Sequence, residues 1–286
     1  MTLAFSPLHP LFAARAEGID LSAPIEPGVV REIEAAMDRY AVLVFRDQLI
    51  DQEQQLAFTR HFGPLDPGRH LAVRQHRRVR PEFADVSNLD EEGRVAARDH
   101  RRILSNMATR LWHTDSSYKK PAAKFSLLYC SAIPDWGGET EFADMRAAHD
   151  ALPDRLRAEA AGREAEHYVH HSRATLGFAP SEEEIAGAIP PVTWPLVRVH
   201  AGSGRKVLYI GSHATRVLGL SLPEGRVLLS DLLEHATQRP FVYRHEWKPG
   251  DLVMWDNRAV LHRGRRYDLA QRRDMRRSTV EDTLAL

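Results

Sequence analysis

The sequence predicts a mainly β fold with flanking helices, built around a β-barrel or jelly-roll core, and two observations carry that prediction. Short apolar runs of strand length recur at 125–133, 194–199, 206–210, 240–245 and 252–262, separated by Gly and Pro turns. Helical patterns gather at the front of the chain and in the intervals between those runs, as expected of helices that decorate a β core. No internal repeat or low-complexity tract interrupts this organisation. The 286 residues are read as a single domain, 1–286, a length that one barrel or sandwich can fill.

In chain order, Pro27 and Gly28 mark the start of a helix over 29–40, in which Val30, Ile33, Met37 and Tyr40 share one stripe. A buried strand is expected at 41–45. Asp51 opens a second helix with a capping-box pattern completed by Gln54; Leu56, Phe58 and Phe62 continue its apolar face until Gly63 and Pro64 end it. The stretch 66–110 has few long apolar runs and carries Arg69, Arg74, Arg77, Arg78 and Arg80. It reads as a solvated, mobile loop region, or alternatively as a lid bringing cations to an anionic substrate. Two further helices are expected at 144–160 and 223–237, the second with Val227, Leu228, Leu232, Leu233 and Ala236 in register.

Charge and cysteine content narrow the function classes. Lys plus Arg and Asp plus Glu each number 39, so the formal charge is zero and no long-range field draws the chain to nucleic acid or an anionic membrane. A small-molecule partner is expected, and assembly into a homo-oligomer is left open. Cys130 is the only cysteine, which excludes an intramolecular disulfide and a cysteine-based zinc cluster and fits a reducing compartment. Between Phe-Ser-Leu-Leu-Tyr and Ser-Ala-Ile it reads as a small hydrophobe in a strand. The first residues lack a basic signal region, and no run approaches the ~18 apolar residues of a membrane span. A cytoplasmic location is expected.

The chemistry gathers in three segments. His113 and Asp115, in Leu-Trp-His-Thr-Asp-Ser, alternate on an extended chain, so an imidazole and a carboxylate can meet one ion. Such a pair alone is weak, since chance supplies it in a chain with 15 His and 39 acids. The second segment places two apolar runs around an Asp-Asn-Arg turn and ends on His262, 149 positions after His113. Two histidines and one carboxylate would leave three octahedral positions open, an arrangement that suits Fe(II); residue identity alone leaves zinc open as well. The third segment contains Arg272, Arg273, Arg276 and Arg277. On a strand Arg273 and Arg277 share a face, where two guanidinium forks can receive two carboxylates; otherwise they are solubilising surface charge. His167, His170, His171, His200, His213 and His245 read as hydrogen-bonding residues rather than ligands. His200, beside a Gly-Ser-Gly turn, is the one placed to face the site.

With these residues in view, the chain resembles the taurine dioxygenase superfamily. The resemblance runs nearly end to end, through Ser-Pro-Leu-His-Pro-Leu-Phe near the start, Val-Leu-Val-Phe-Arg at 42–46, Phe-Gly-Pro-Leu at 62–65 and the Gly-Gly-Glu-Thr segment at 137–148. It continues through 200–206, 232–239 and 255–268, and these long segments point to the branch that degrades aryloxyacetate herbicides. The resemblance implies a double-stranded β-helix with His113, Asp115 and His262 as both metal ligands and catalytic residues for Fe(II). It implies that Thr140 and Arg273 bind the distal carboxylate of 2-oxoglutarate, with O2 as the other co-substrate, and that Arg277 sits near the substrate carboxylate. The implied reaction hydroxylates the OCH2 carbon of an aryloxy acid such as 2,4-dichlorophenoxyacetate, releasing a phenol and glyoxylate with succinate and CO2. Leu71 stands where the family carries a lysine that helps hold the substrate acid; Arg69, His70 or Arg74 could replace it. The related iron halogenases lack the carboxylate that Asp115 supplies, which argues against halogenation. The alternatives are the same chemistry on a 2-aryloxypropionate, sulfonate or sulfate ester, a zinc hydrolase, and a barrel that binds metal or anion without turnover.

Overall fold

In the computed structural model, which describes residues 3–66 and 78–283, the chain opens with a hairpin of β1 (Ala4–Pro7) and β2 (Ala14–Glu17). Helix α1 (Pro27–Tyr40) follows, then β3 (Val42–Phe45), parallel to β2, and α2 (Gln52–Arg60). The capping box expected at Asp51 and Gln54 is present on both sides, with Gln54 N donating to Asp51 Oδ1 over 2.8 Å and Asp51 N to Gln54 Oε1 over 2.9 Å. After β4 (Ala84–Asp85) and α3 (Arg101–Asn106) come β5 (Ala123–Ala132), β6 (Thr140–Asp144), α4 (Met145–Asp150), α5 (Asp154–Ala160) and β7 (Glu164–His167). Two short helices, α6 (His171–Thr175) and α7 (Glu182–Ala186), precede β8 (Val192–Pro195), β9 (Val197–Val199), β10 (Lys206–Leu208) and β11 (Ala214–Val217). Helix α8 (Leu222–Ala236), β12 (Val242–His245), β13 (Leu252–Asp256), β14 (Val260–Gly264) and β15 (Asp274–Glu281) complete the described order.

Two sheets frame the interior. The larger runs β1-β2-β3-β13-β5-β15-β4, and the smaller runs β12-β6-β14. Because successive side chains alternate across a sheet, each strand serves two cores. Leu43, Phe45, Leu127, Leu252 and Met254 pack outward with Ile33 and Met37 of α1 and Phe58 of α2. Val42, Val44, Leu128, Cys130, Val253 and Trp255 face inward, where they meet Phe142 and Val260 of the smaller sheet. Ala143 and Leu261, one residue on from those last two, pack on the far side with Leu228 and Leu232 of α8. Burial on both faces is why β3 and β13 read as unbroken apolar runs, and each buried Leu, Val or Phe contributes about 1.5–3 kcal/mol. The same parity places Ser126, Thr140, His262 and Arg277 on inner faces, since each is an even number of residues from an inward Leu128, Phe142, Val260 or Met275. Cys130 is buried there, and burial pushes its thiol up to about 12.

Several expectations are corrected. The helix expected over 144–160 divides into α4 and α5, because Pro153 cannot continue a helix that already ends at Ala151. The expected strand 194–199 splits between two sheets, β8 pairing with β7 and β9 with β10. On α8 the buried stripe is Gly225, Leu228, Leu232 and Ala236, whereas Val227 is 58% exposed. The part of 66–110 that is described is not a solvated loop: β4 extends the large sheet, and Val79, Phe83, Leu89, Ile103 and Ala108 are buried. Arg78 is held by Asp85 and Asp274. Arg69, His70, Leu71, Arg74 and Arg77 lie outside the described residues. Among the described residues, no helix is long and apolar enough to cross a membrane.

Candidate active site

The two histidines are joined through the backbone before their side chains meet anything. His113 N donates to the His262 carbonyl over 3.0 Å, and His262 N donates back over 2.8 Å, making an isolated antiparallel bridge at the mouth of β14. A pair that exchanges both bonds sets its side chains side by side, and the two imidazole centroids are 4.1 Å apart. The chain then leaves the bridge in a turn, with Ser116 in the left-handed region at φ 54°, which folds Asp115 back toward the rings. Asp115 Oδ1 lies 3.9 Å from His113 Nε2, and Oδ2 lies 3.7 Å from His262 Nε2. The segment does not form the regular strand that the alternation of His113 and Asp115 suggested; a bridge and a turn produce the same convergence.

The donor set fits a divalent first-row ion. One ligand atom from each of the three residues lies within 4.8 Å of the others, and all three residues are buried. His113 Nδ1 sits 2.8 Å from the Leu111 carbonyl; donating there leaves Nε2 with its lone pair free. Burial, outweighing the attraction of Asp115, lowers the pKa of His113, and burial with the neighbouring His113 lowers that of His262 well below the ordinary value, so both imidazoles are neutral donors. Burial opposes ionisation of Asp115, but the Arg277 guanidinium and the Ser126 hydroxyl hold its carboxyl well below the usual range. Ser126 Oγ donates to Asp115 Oδ2 over 2.7 Å, and Arg277 Nη1 to Oδ1 over 2.5 Å. Asn257, in the turn after β13, accepts from Asp115 N and from Trp255 Nε1 and donates to Ser126 Oγ, at 3.0–3.1 Å.

A cavity opens from this cluster, lined by His113, His262, Thr140, Arg273 and Arg277 together with Trp255 and Leu128. Arg273 is almost wholly buried and donates through Nη1 to the Val86 carbonyl over 2.6 Å. Its Nε and that of Arg277 are buried with no partner among the described residues. Two orphaned guanidinium donors in one chamber are the polar groups that carboxylates would satisfy. Thr140 Oγ1 accepts from Trp247 Nε1 over 3.0 Å, which leaves its own hydroxyl proton free to donate.

The chain matches the family described as taurine catabolism dioxygenase TauD, TfdA family, over residues 4–279. It belongs to that family. It is 55% identical over 283 residues to the alpha-ketoglutarate-dependent 2,4-dichlorophenoxyacetate dioxygenase of Cupriavidus pinatubonensis (strain JMP 134 / LMG 1197), covering 99% of both chains. It is 37% identical to the (S)-phenoxypropionate/alpha-ketoglutarate-dioxygenase of Sphingobium herbicidovorans, covering 96% of this chain and 93% of that one. The crystal structure of AAD-2 in complex with Mn(II) and N-oxalylglycine shares its fold at a TM-score of 0.91 with 49% identity, covering 99% of this chain and 98% of that one.

Within this TauD, TfdA family chain, the six residues singled out from the sequence all fall around one chamber. His200 does not: its Nε2 is 2.9 Å from Asp256 Oδ2 and its Nδ1 2.9 Å from Ser203 Oγ, a buried arrangement that Arg258 completes. His167 and His245 are likewise held by Ser117 and by Asp251 with Tyr243. His213 does approach the site, its ring 6.2 Å from that of His113. Sequence reasoning missed Ser126, Asn257 and Trp247, which act through the residues they hold. A polar Asn closing the turn between the apolar runs of β13 and β14 was the available signal for Asn257.

Proposed function

We propose that this TauD, TfdA family protein is an Fe(II)- and 2-oxoglutarate-dependent dioxygenase that hydroxylates the OCH2 carbon of an aryloxyacetate such as 2,4-dichlorophenoxyacetate. The observation that carries the reading is the convergence of His113, Asp115 and His262 beside two guanidiniums with unsatisfied donors. The two facing sheets with the site between them support a double-stranded β-helix core in one domain spanning 1–286. The lone buried thiol accords with a cytoplasmic setting.

His113, Asp115 and His262 would hold Fe(II). With the metal bound, 2-oxoglutarate and O2 supply the oxidising chemistry, which yields succinate and CO2 and places one oxygen atom on the substrate. Every other contribution is placement by the chain. Arg273, with Thr140, receives the distal carboxylate of 2-oxoglutarate, both side chains being buried so that a charge-assisted pair fixes its orientation. Arg277 keeps Asp115 ionised and directed at the metal, and its unsatisfied Nε offers an edge to the substrate carboxylate. Hydroxylation at OCH2 gives a hemiacetal that separates into a phenol and glyoxylate.

Aerobic incubation of the Fe(II)-loaded protein with 2-oxoglutarate and 2,4-dichlorophenoxyacetate tests this directly, with 2,4-dichlorophenol as the expected product. A second reading, the same chemistry on a 2-aryloxypropionate, is favoured by the phenoxypropionate relative. Phenol release from the propionate but not the acetate would select it.

A further inference from the structure

Four arginines line the chamber above the metal ligands: Arg110, Arg265, Arg273 and Arg277. Three have polar partners. Arg277 is bound to Asp115, Arg273 to the Val86 carbonyl, and Arg265 lies 3.7 Å from Glu141. Arg110 has no acid, carbonyl or hydroxyl partner among the described residues; its guanidinium carbon lies 5.9 Å from the centre of the Tyr267 ring, the ring that Arg273 also approaches at 5.2 Å. It is half-buried, and burial lowers its pKa, opposed only by Tyr267. A desolvated guanidinium without an anion is costly to keep unless a ligand completes it.

Its position is fixed relative to the metal ligands. Arg110 ends the 3-10 turn Met107–Arg110, and Leu111 N donates back to the Ala108 carbonyl over 3.1 Å. The Leu111 carbonyl in turn orients His113 through Nδ1. Arg110 also lines a second cavity of about 780 Å³, which shares Met107, Gly264 and Arg265 with the chamber and opens outward. Leu104, Trp136, Leu176 and Phe178 give that outer cavity apolar surface, and Trp136 is 57% exposed. The inner chamber is narrow by comparison, about 70 Å³. Arg110 thus stands where the narrow chamber meets a wider cavity that offers apolar side chains beside Glu139, Arg244 and Arg266, a place suited to an acid bearing an aromatic ring.

We propose that Arg110 is a specificity-determining residue that binds the substrate carboxylate where the two cavities meet, while the aryl ring occupies the outer cavity. The inference rests on the aromatic-acid reading given above. It makes anion selectivity depend on a residue three positions before His113.

The test compares wild type, Arg110→Gln and Arg110→Lys, each loaded with metal and 2-oxoglutarate under anaerobic conditions and each checked for an unchanged melting temperature. Equilibrium binding of 2,4-dichlorophenoxyacetate and of its uncharged methyl ester is followed by calorimetry. Arg110→Gln is expected to weaken the acid roughly ten- to a hundredfold and leave the ester unchanged, the scale of a lost charge-assisted hydrogen bond, with Arg110→Lys recovering part of the loss. Equal losses for acid and ester, or an unmoved acid, would overturn the assignment of Arg110 alone. Wild type that binds neither compound would overturn the aryloxy-acid reading as well.

Discussion

Asp115 shows how much of the site lies in the residues that hold its side chains in place. Its carboxylate is held by Arg277 and Ser126 and its amide by Asn257, so removing Asn257 leaves the Asp115 N–H and the Trp255 indole N–H buried without their acceptor. Asn257→Ala is therefore expected to weaken metal binding about 10–100-fold, as outer partners of a metal site do, measured by anaerobic titration. Arg273→Gln is expected to raise the KM for 2-oxoglutarate roughly ten- to a hundredfold with a smaller effect on the KM of the aryloxy acid, read from steady-state kinetics. At this scale His113, Asp115 and His262 were singled out in the sequence through the family resemblance, because a His-x-Asp pair alone is supplied by chance. Ser126 and Asn257 were not, since a serine in a strand and an asparagine in a turn have many ordinary uses, and only the packing of β5 against β13 shows which use applies.

Elements carry the site through their turns. Gly137 adopts φ +75°, and a Cβ there would stand 2.0 Å from the Arg266 carbonyl oxygen, at the bridge between Gly137 and Tyr267. Gly137→Ala combines backbone strain with that clash and is expected to lower stability by about 2 kcal/mol or more, and to raise the KM for 2-oxoglutarate by displacing Thr140 three residues on. Ser221 caps α8, far from the chamber, with Glu224 completing a capping box. Ser221→Ala should cost about 1 kcal/mol in denaturant unfolding with catalysis intact. The capping box of α2 and the apolar stripe of α1 were readable from residue spacing, because helix ends and faces are local, whereas the Ser221 cap of α8 was not foreseen and its stripe was expected to include the exposed Val227. The division of 194–199 between sheets and the ordered wall built from 78–110 were not, because they depend on partners distant in sequence: Asn88 accepts from Arg273 N and donates to the Leu269 and Gln271 carbonyls.

For the whole molecule, burial lowers the pKa of several interior imidazoles, His167, His213 and His245 among them. His167 is buried, and desolvation with the nearby Arg198 and His171 lowers its pKa to about 3. The unfolded chain binds a proton there near the ordinary value of about 6.5, so the stability His167 contributes is full above that pH and is lost as pH falls toward 3. The loss is about 1.4 kcal/mol per pH unit across that window, or about 2 kcal/mol at pH 5. His167→Gln should accordingly show a smaller fall in melting temperature between pH 7 and pH 5 than wild type. The mainly β character and the helices at the front were legible because alternation and helical periodicity differ. The facing of two sheets around one chamber was implied by the family resemblance and not by periodicity, since apolar runs buried on both faces do not tell which face looks inward. That chamber is where the central claim is decided, and the most direct measurement is the ratio of succinate to phenol formed by the Fe(II)-loaded protein with 2-oxoglutarate and 2,4-dichlorophenoxyacetate. Equal amounts of the two, both abolished by His262→Ala, are the predicted result, whereas iron-dependent succinate without phenol would contradict the substrate, and no iron-dependent succinate with any aryloxy acid would contradict the enzyme.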